Sequence, residues 1–125
     1  MTGALATDAV DAFAEEVGAV GPVAVEGGRT RWDLGGALAD DARLVRAPSG
    51  VLERVPEEMI VRVLAGTPVA ELDAELAAAG QRSALPSRGG TVGGALAVGE
   101  NHVDVLSRGP LRASLLQVRY VAHAS

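Results

Sequence analysis

Val23-Ala24-Val25-Glu26-Gly27-Gly28-Arg29-Thr30-Arg31-Trp32-Asp33-Leu34-Gly35-Gly36 is the stretch on which the fold reading turns. Three apolar residues of strand length run straight into a loop bounded by two glycine pairs. Paired glycines let the backbone turn sharply and let amides share a concavity with no Cβ in the way. Amides gathered in this way bind phosphate oxygens. Arg29, Thr30 and Arg31 follow with donors of the same use, guanidinium and hydroxyl. The residues alone leave a second reading open, an ordinary turn between two strands. Neither standard nucleotide motif fits. No Gly-x-Gly-x-x-Gly opens a helix, and no glycine loop ends in Lys-Ser or Lys-Thr.

Upstream, Thr7 to Val20 reads as a helix capped by Thr7 or Asp8. Val10, Phe13, Ala14 and Val17 give it one apolar stripe, and Gly18 and Gly21-Pro22 end it. Downstream, Ala37 to Asp41 reads as a polar connector or a single helical turn. Arg43–Ala47, Val51–Val55 and Met59–Leu64 read as short strands of a small sheet, separated by Pro48-Ser49-Gly50 and Pro56-Glu57-Glu58. Thr67 to Gly80 carries the clearest helix signals: Thr67 as N-cap, Pro68 at the first helical position and Gly80 at the left-handed stop. Val69, Leu72, Leu76 and Ala79 line its apolar face. Gln81–Leu85 reads as a strand, Asn101–Pro110 as irregular, and Leu111–Val121 as a helical turn followed by a strand. The fold class is α+β.

A second glycine-rich stretch, Ser87-Arg88-Gly89-Gly90-Thr91-Val92-Gly93-Gly94-Ala95-Leu96-Ala97-Val98-Gly99, has the same ambiguity as the first. It can admit a flat ligand or a phosphate to the backbone, or it can pack backbone closely on a sheet. Arg88 reads as a solvated loop residue. Arg108 and Arg112 read as surface charge or as anion contacts. No catalytic constellation appears. Ser83, Ser87, Ser107 and Ser114 have no matching histidine and acid, and His102 beside Asp104 has a loop spacing with no geometric meaning. Glu57-Glu58 reads as a solvated turn.

Composition narrows the classes further. The 125 residues allow one domain or a piece of one. All 11 basic residues are arginine, which removes Schiff-base chemistry and lysine general bases. Cysteine is absent, so there is no thiolate site or disulfide frame, and two histidines, His102 and His123, are too few for a His-rich metal cage. A net charge of −5 argues against a nucleic-acid partner. No apolar run reaches the roughly 18 residues of a membrane span, and no secretory leader is evident. The expectation is a cytoplasmic protein.

The order of these pieces resembles the FAD-binding domain shared by vanillyl-alcohol oxidase and p-cresol methylhydroxylase. The motifs that carry it are Glu26-Gly-Gly-Arg-Thr-Arg-Trp-Asp-Leu-Gly35, the helix Pro68 to Gly80, and Thr91-Val-Gly-Gly-Ala-Leu-Ala97. Arg108-Gly-Pro-Leu-Arg112 and Leu115-Leu-Gln-Val-Arg-Tyr-Val121 extend it. The nearest look is to the FAD-binding subunit of glycolate oxidase. The resemblance implies the N-terminal part of such a domain. Residues 1–80 would form a first subdomain with the pyrophosphate loop, and residues 81–125 the start of an antiparallel second one. It implies FAD with its pyrophosphate on Gly27, Gly28, Arg29, Thr30 and Arg31. Flavin or ribityl contacts would lie at Pro86, Thr91, Gly93, Gly94 and Gly99. It also implies oxidation of a small 2-hydroxy acid such as glycolate or lactate in the intact protein, and other subunits as partners.

Some relatives attach flavin through a histidine in or beside the first loop. None is present here, so the expectation is non-covalent FAD. Relatives often carry aspartate after the arginine equivalent to Arg112, where this chain has Ala113. They often carry Arg-Tyr-Gly or Arg-His-Gly where this chain has Arg108-Gly109-Pro110. The family's domain continues past Val121 into a substrate or cap domain. The 125 residues alone are therefore expected to hold FAD weakly and not to turn over substrate. Two other readings stand beside this one: a flavoprotein of the enolpyruvyl-sugar reductase type, and a cofactor-free subunit-interaction remnant.

Overall fold

The computed structural model describes residues 2–122; His123 lies outside them. Helix α1 spans Thr2–Val17, strand β1 Val23–Val25, β2 Arg43–Val45, β3 Val51–Val55 and β4 Ile60–Val63. Helices α2, α3 and α4 span Val69–Ala77, Val92–Val98 and Val105–Arg108. The α+β class holds, but the strands form two separate pairs. β1 and β2 pair in parallel, Val23 opposite Arg43 and Val25 opposite Val45. β3 and β4 pair antiparallel, with a register irregularity between Val51 and Glu53.

Helix α1 begins at Thr2, not at Thr7 or Asp8, because Ala4, Leu5 and Ala6 are good helix formers upstream of the expected cap. Val17 on the expected apolar stripe is buried. The Arg43 guanidinium donates to the free carbonyls of Glu16 and Val17, at 2.9 and 2.7 Å, tying the helix end to β2. Trp32–Gly35, expected as loop, is a 3-10 turn, and so is Pro56–Glu58.

Thr67 is completely buried and is not an N-cap. Its hydroxyl accepts from the Gly50 amide at 2.8 Å and donates to the Gly50 carbonyl at 3.3 Å, which locks the turn before β3. Pro68 takes the cap position of α2, and Gly80 ends the helix with φ +69°. Val69, Leu72 and Leu76 face inward as the periodicity requires. Ala79 lies past the helix and is exposed.

Those three residues form one core with Leu85, Val92, Ala95 and Leu111. Residues 65–69 hold the second glycine stretch against this core. Val69 donates to Gly90, Val92 to Thr67 and Gly93 to Ala65, at 3.0, 2.9 and 2.8 Å.

Two expected strands do not form. In Gln81–Leu85 the Ser83 amide and hydroxyl donate to Asp73 Oδ1 at 2.9 and 2.8 Å, so side-chain bonding replaces a ladder. Residues 115–121 have no regular secondary structure, and among the described residues no strand pairs with them. The segment 101–110, expected as irregular, contains α4. Among the described residues no helix is long and apolar enough to cross a membrane.

Candidate functional site

The first glycine loop leaves the carboxyl end of β1, the end at which parallel strands present ligand sites. Glu26 still belongs to the pair, its amide donating to Val45 at 2.8 Å. The next five amides, Gly27 to Arg31, donate to no acceptor among the described residues. Arg29 adopts φ +58°, a left-handed conformation that costs a non-glycine residue energy. Its side chain holds it there. The guanidinium donates to Glu26 Oε1 at 2.6 Å and stacks 4.6 Å from the Trp32 ring centroid. Arg46 reaches the same Glu26 oxygen at 3.2 Å. Arg29 thus brings its free amide to the loop, while its guanidinium is engaged within it.

The second glycine stretch lies directly against the first. A Cβ on Gly27 would stand 2.8 Å from Thr91 Oγ1, and one on Gly28 would stand 3.0 Å from the Gly90 Cα. A Cβ on Gly90 would stand 2.5 Å from Thr30 Oγ1. Gly89 and Gly90 also need positive φ, +79° and +85°. The Thr91 hydroxyl caps α3 by accepting from Gly94 at 3.1 Å. Gly93 packs on Ala65, where a Cβ would meet the Ala65 Cβ at 2.9 Å, and Gly99 ends α3 with φ +71°. Pro86 is buried. The glycines of α3 therefore have packing and capping roles of their own.

Arg31 joins the two loops. Its side chain is 5% exposed. Nε donates to Glu100 Oε2 at 2.6 Å, and Nη1 reaches Thr30 Oγ1 at 2.9 Å and the Gly89 carbonyl at 3.3 Å. Nη2 is buried with no partner. Arg88 is not merely solvated, since its Nε donates to Glu100 Oε1 at 2.6 Å. An open trough of about 2240 Å³ runs past Gly27, Thr30, Arg31 and Thr91 to Ile60 and Leu115.

The Arg29 hydrogen bond lowers the Glu26 pKa below its ordinary 4.5, and the Arg31 hydrogen bond does the same for Glu100. A carboxylate depressed in the folded chain stabilises it above the unfolded value, and this is lost as pH falls through the folded value. Loop stability is expected to hold from neutral pH down to about 5 and to fall progressively at lower pH. Urea midpoints across that range check this. Glu100→Gln should flatten the acid slope, and an unchanged slope would contradict the assignment.

The remaining candidates are accounted for elsewhere. Asp104 pairs with Arg82 and Arg108, and its other carboxylate oxygen contacts the His102 ring. Ser83 bonds Asp73 and no histidine. Arg112 and Glu57-Glu58 are exposed. Among the described residues no cluster of three histidines or carboxylates can hold a metal. Sequence reasoning missed Arg46 and Glu100, because their pairing with Glu26 and Arg31 spans tens of residues and leaves no local pattern.

A family model described as FAD binding domain matches residues 6–125. No curated protein and no solved structure matches the chain. The chain belongs to the FAD binding domain family, of the vanillyl-alcohol oxidase and p-cresol methylhydroxylase type, and FAD is its cofactor.

Proposed function

We propose that this domain serves an FAD-linked oxidoreductase acting on a small 2-hydroxy acid such as glycolate or lactate. In this reading Gly27, Gly28, Arg29, Thr30 and Arg31 hold the FAD pyrophosphate. Pro86, Thr91, Gly93, Gly94 and Gly99 lie toward the ribityl and flavin. Residues 1–80 carry the phosphate loop, and residues 81–125 begin the flavin-side subdomain. One observation supports this most: a glycine loop with five free amides sits beside a buried arginine nitrogen that lacks an acceptor. Buried donors call for partners, and a diphosphate supplies several acceptor oxygens.

Bound FAD supplies the hydride acceptor at the flavin N5. The chain binds and orients it non-covalently, since no histidine stands in the first loop. Residues of the trough, the exposed Leu116 and Tyr120 among them, await a covering surface, which in this reading comes from other subunits or further protein. A cytoplasmic setting is part of the same proposal.

The test is FAD titration of the chain, followed by anaerobic addition of glycolate or lactate. The 125 residues alone are expected to hold FAD weakly and to show no turnover, because the trough is open to water and its apolar residues are uncovered. The same titration with the partner proteins that copurify with the chain should show flavin bleaching by a 2-hydroxy acid. Bleaching by neither acid in that complex would remove the substrate class. Absence of FAD binding would remove the site.

A further inference from the structure

Glu100 stands outside every residue assigned to the cofactor, yet both glycine loops meet on its carboxylate. Oε2 accepts from Arg31 Nε and Oε1 from Arg88 Nε, each at 2.6 Å. Arg31 belongs to the first loop and Arg88 to the second. Glu100 itself follows the αL stop of α3 at Gly99, its amide reaching the Ala95 carbonyl at 3.4 Å.

A guanidinium is planar and rigid, so fixing two of its nitrogens fixes the third. Glu100 fixes Nε. Thr30 Oγ1 and the Gly89 carbonyl fix Nη1. Nη2 is then left pointing in one direction, buried and unpartnered. A buried donor with no acceptor is costly, and a charged one more so. Two arginines share one carboxylate here, so the cluster keeps a net positive charge beside the free amides of Gly27 to Arg31. An anionic oxygen placed there would meet that charge and those amides, and Nη2 is the Arg31 nitrogen left without an acceptor.

We infer that Glu100 is a positioning residue: it sets the Arg31 guanidinium so that Nη2 meets a phosphoryl oxygen of the FAD diphosphate, and through Arg88 it keeps the second loop closed over the first. The inference rests on the pyrophosphate reading above. It also makes a prediction that simple charge does not. Removing a negative charge beside a bound anion should tighten binding by Coulomb attraction alone. If Glu100 acts by orientation, its removal loosens binding instead.

The experiment measures the affinity of FAD, ADP and riboflavin for the wild-type chain, Glu100→Gln and Arg31→Lys. ADP carries the diphosphate without the flavin, and riboflavin carries the flavin without phosphate. Glutamine puts an NH2 donor where one of the two carboxylate oxygens accepts from an arginine, and lysine keeps the charge of Arg31 but lacks the fork. Both variants are expected to lose FAD and ADP affinity by about tenfold, the effect of one hydrogen bond to a charged group. Riboflavin affinity should not change. Unchanged or tighter FAD and ADP binding by Glu100→Gln would overturn the inference, as would an equal loss of riboflavin. Should Glu100→Gln fail to fold, Arg31→Lys decides alone, and wild-type affinity in it overturns the inference. A wild-type chain that binds FAD but not ADP fails the pyrophosphate reading itself. Wild-type binding of FAD and ADP with unaffected variants fails only the role of Glu100.

Discussion

Gly27→Val is expected to abolish measurable FAD binding while leaving most of the helical content intact. The reason is space. Gly27 has no left-handed φ, so a side chain strains no backbone there. The Cβ would stand 2.8 Å from Thr91 Oγ1 and 3.0 Å from its Cγ2, and valine adds two more methyl groups. Thr91 cannot swing away freely, because its hydroxyl holds the Gly94 amide at the start of α3. Either the two loops part or the α3 cap breaks. Parting the loops takes the free amides of the first away from Arg31 and its neighbours. Losing two hydrogen bonds to a charged phosphate, at about 1.5–3 kcal/mol each, lowers affinity by roughly a hundredfold or more. Gly35→Val is the control. It lies in the same connection, with no atom beyond its chain neighbours within 4 Å of its would-be Cβ, and should leave the two loops closed and lose far less FAD affinity. Flavin fluorescence titration of both variants checks the pair. Normal FAD affinity in Gly27→Val would remove the first loop from the cofactor site.

The same loop shows what a sequence can and cannot tell. The strand-glycine-arginine order of Val23 to Arg31 was legible, because local backbone chemistry sets it. Helix α2 was legible for the same reason: Pro68, Gly80 and the stripe Val69, Leu72, Leu76 are all local signals. Helix α3 was not. Gly93 and Gly94 lower helix propensity, and their segment read only as a glycine-rich stretch that admits a ligand or packs on a sheet. Tertiary packing overrides that propensity, since Gly93 must lie against Ala65 and Thr91 caps the helix. Thr67 was misread for a related reason. A threonine before a helix is usually its cap, but burial turned this hydroxyl toward Gly50. The strands expected at Gln81–Leu85 and after Leu115 had the right composition and no partner. Strand formation depends on a neighbour that composition does not reveal. The Arg31–Glu100 pair, 69 residues apart, lies at the far end of that scale.

Gly66→Ala is expected to be the most destabilising glycine-to-alanine change among the described residues, although Gly66 has an ordinary φ and carries no motif. A Cβ there would stand 2.1 Å from the Ala47 carbonyl oxygen and 2.7 Å from that of Pro48. Both are backbone atoms, so no rotamer relieves the overlap. The strand ends must separate, and the bonds between them go with the separation. Gly66 donates to Pro48 at 2.8 Å, Leu64 to Gly50 at 2.9 Å, and the buried Thr67 hydroxyl serves both polar groups of Gly50. Leaving that hydroxyl unsatisfied costs about 1–3 kcal/mol, and each lost backbone bond about 1 kcal/mol more. A total of roughly 4 kcal/mol is a large share of the ~5–15 kcal/mol that holds a domain together. Gly80→Ala separates crowding from conformation. It has φ +69° and open space, so only the left-handed penalty of roughly 1–2 kcal/mol applies. Urea unfolding of both variants should place Gly66→Ala well below Gly80→Ala. The reverse order would mean that residues 65–68 are not wedged against residues 47–50. Because residues 65–69 also carry the hydrogen bonds to Gly90, Val92 and Gly93, FAD affinity should fall with stability in Gly66→Ala and stay normal in Gly80→Ala.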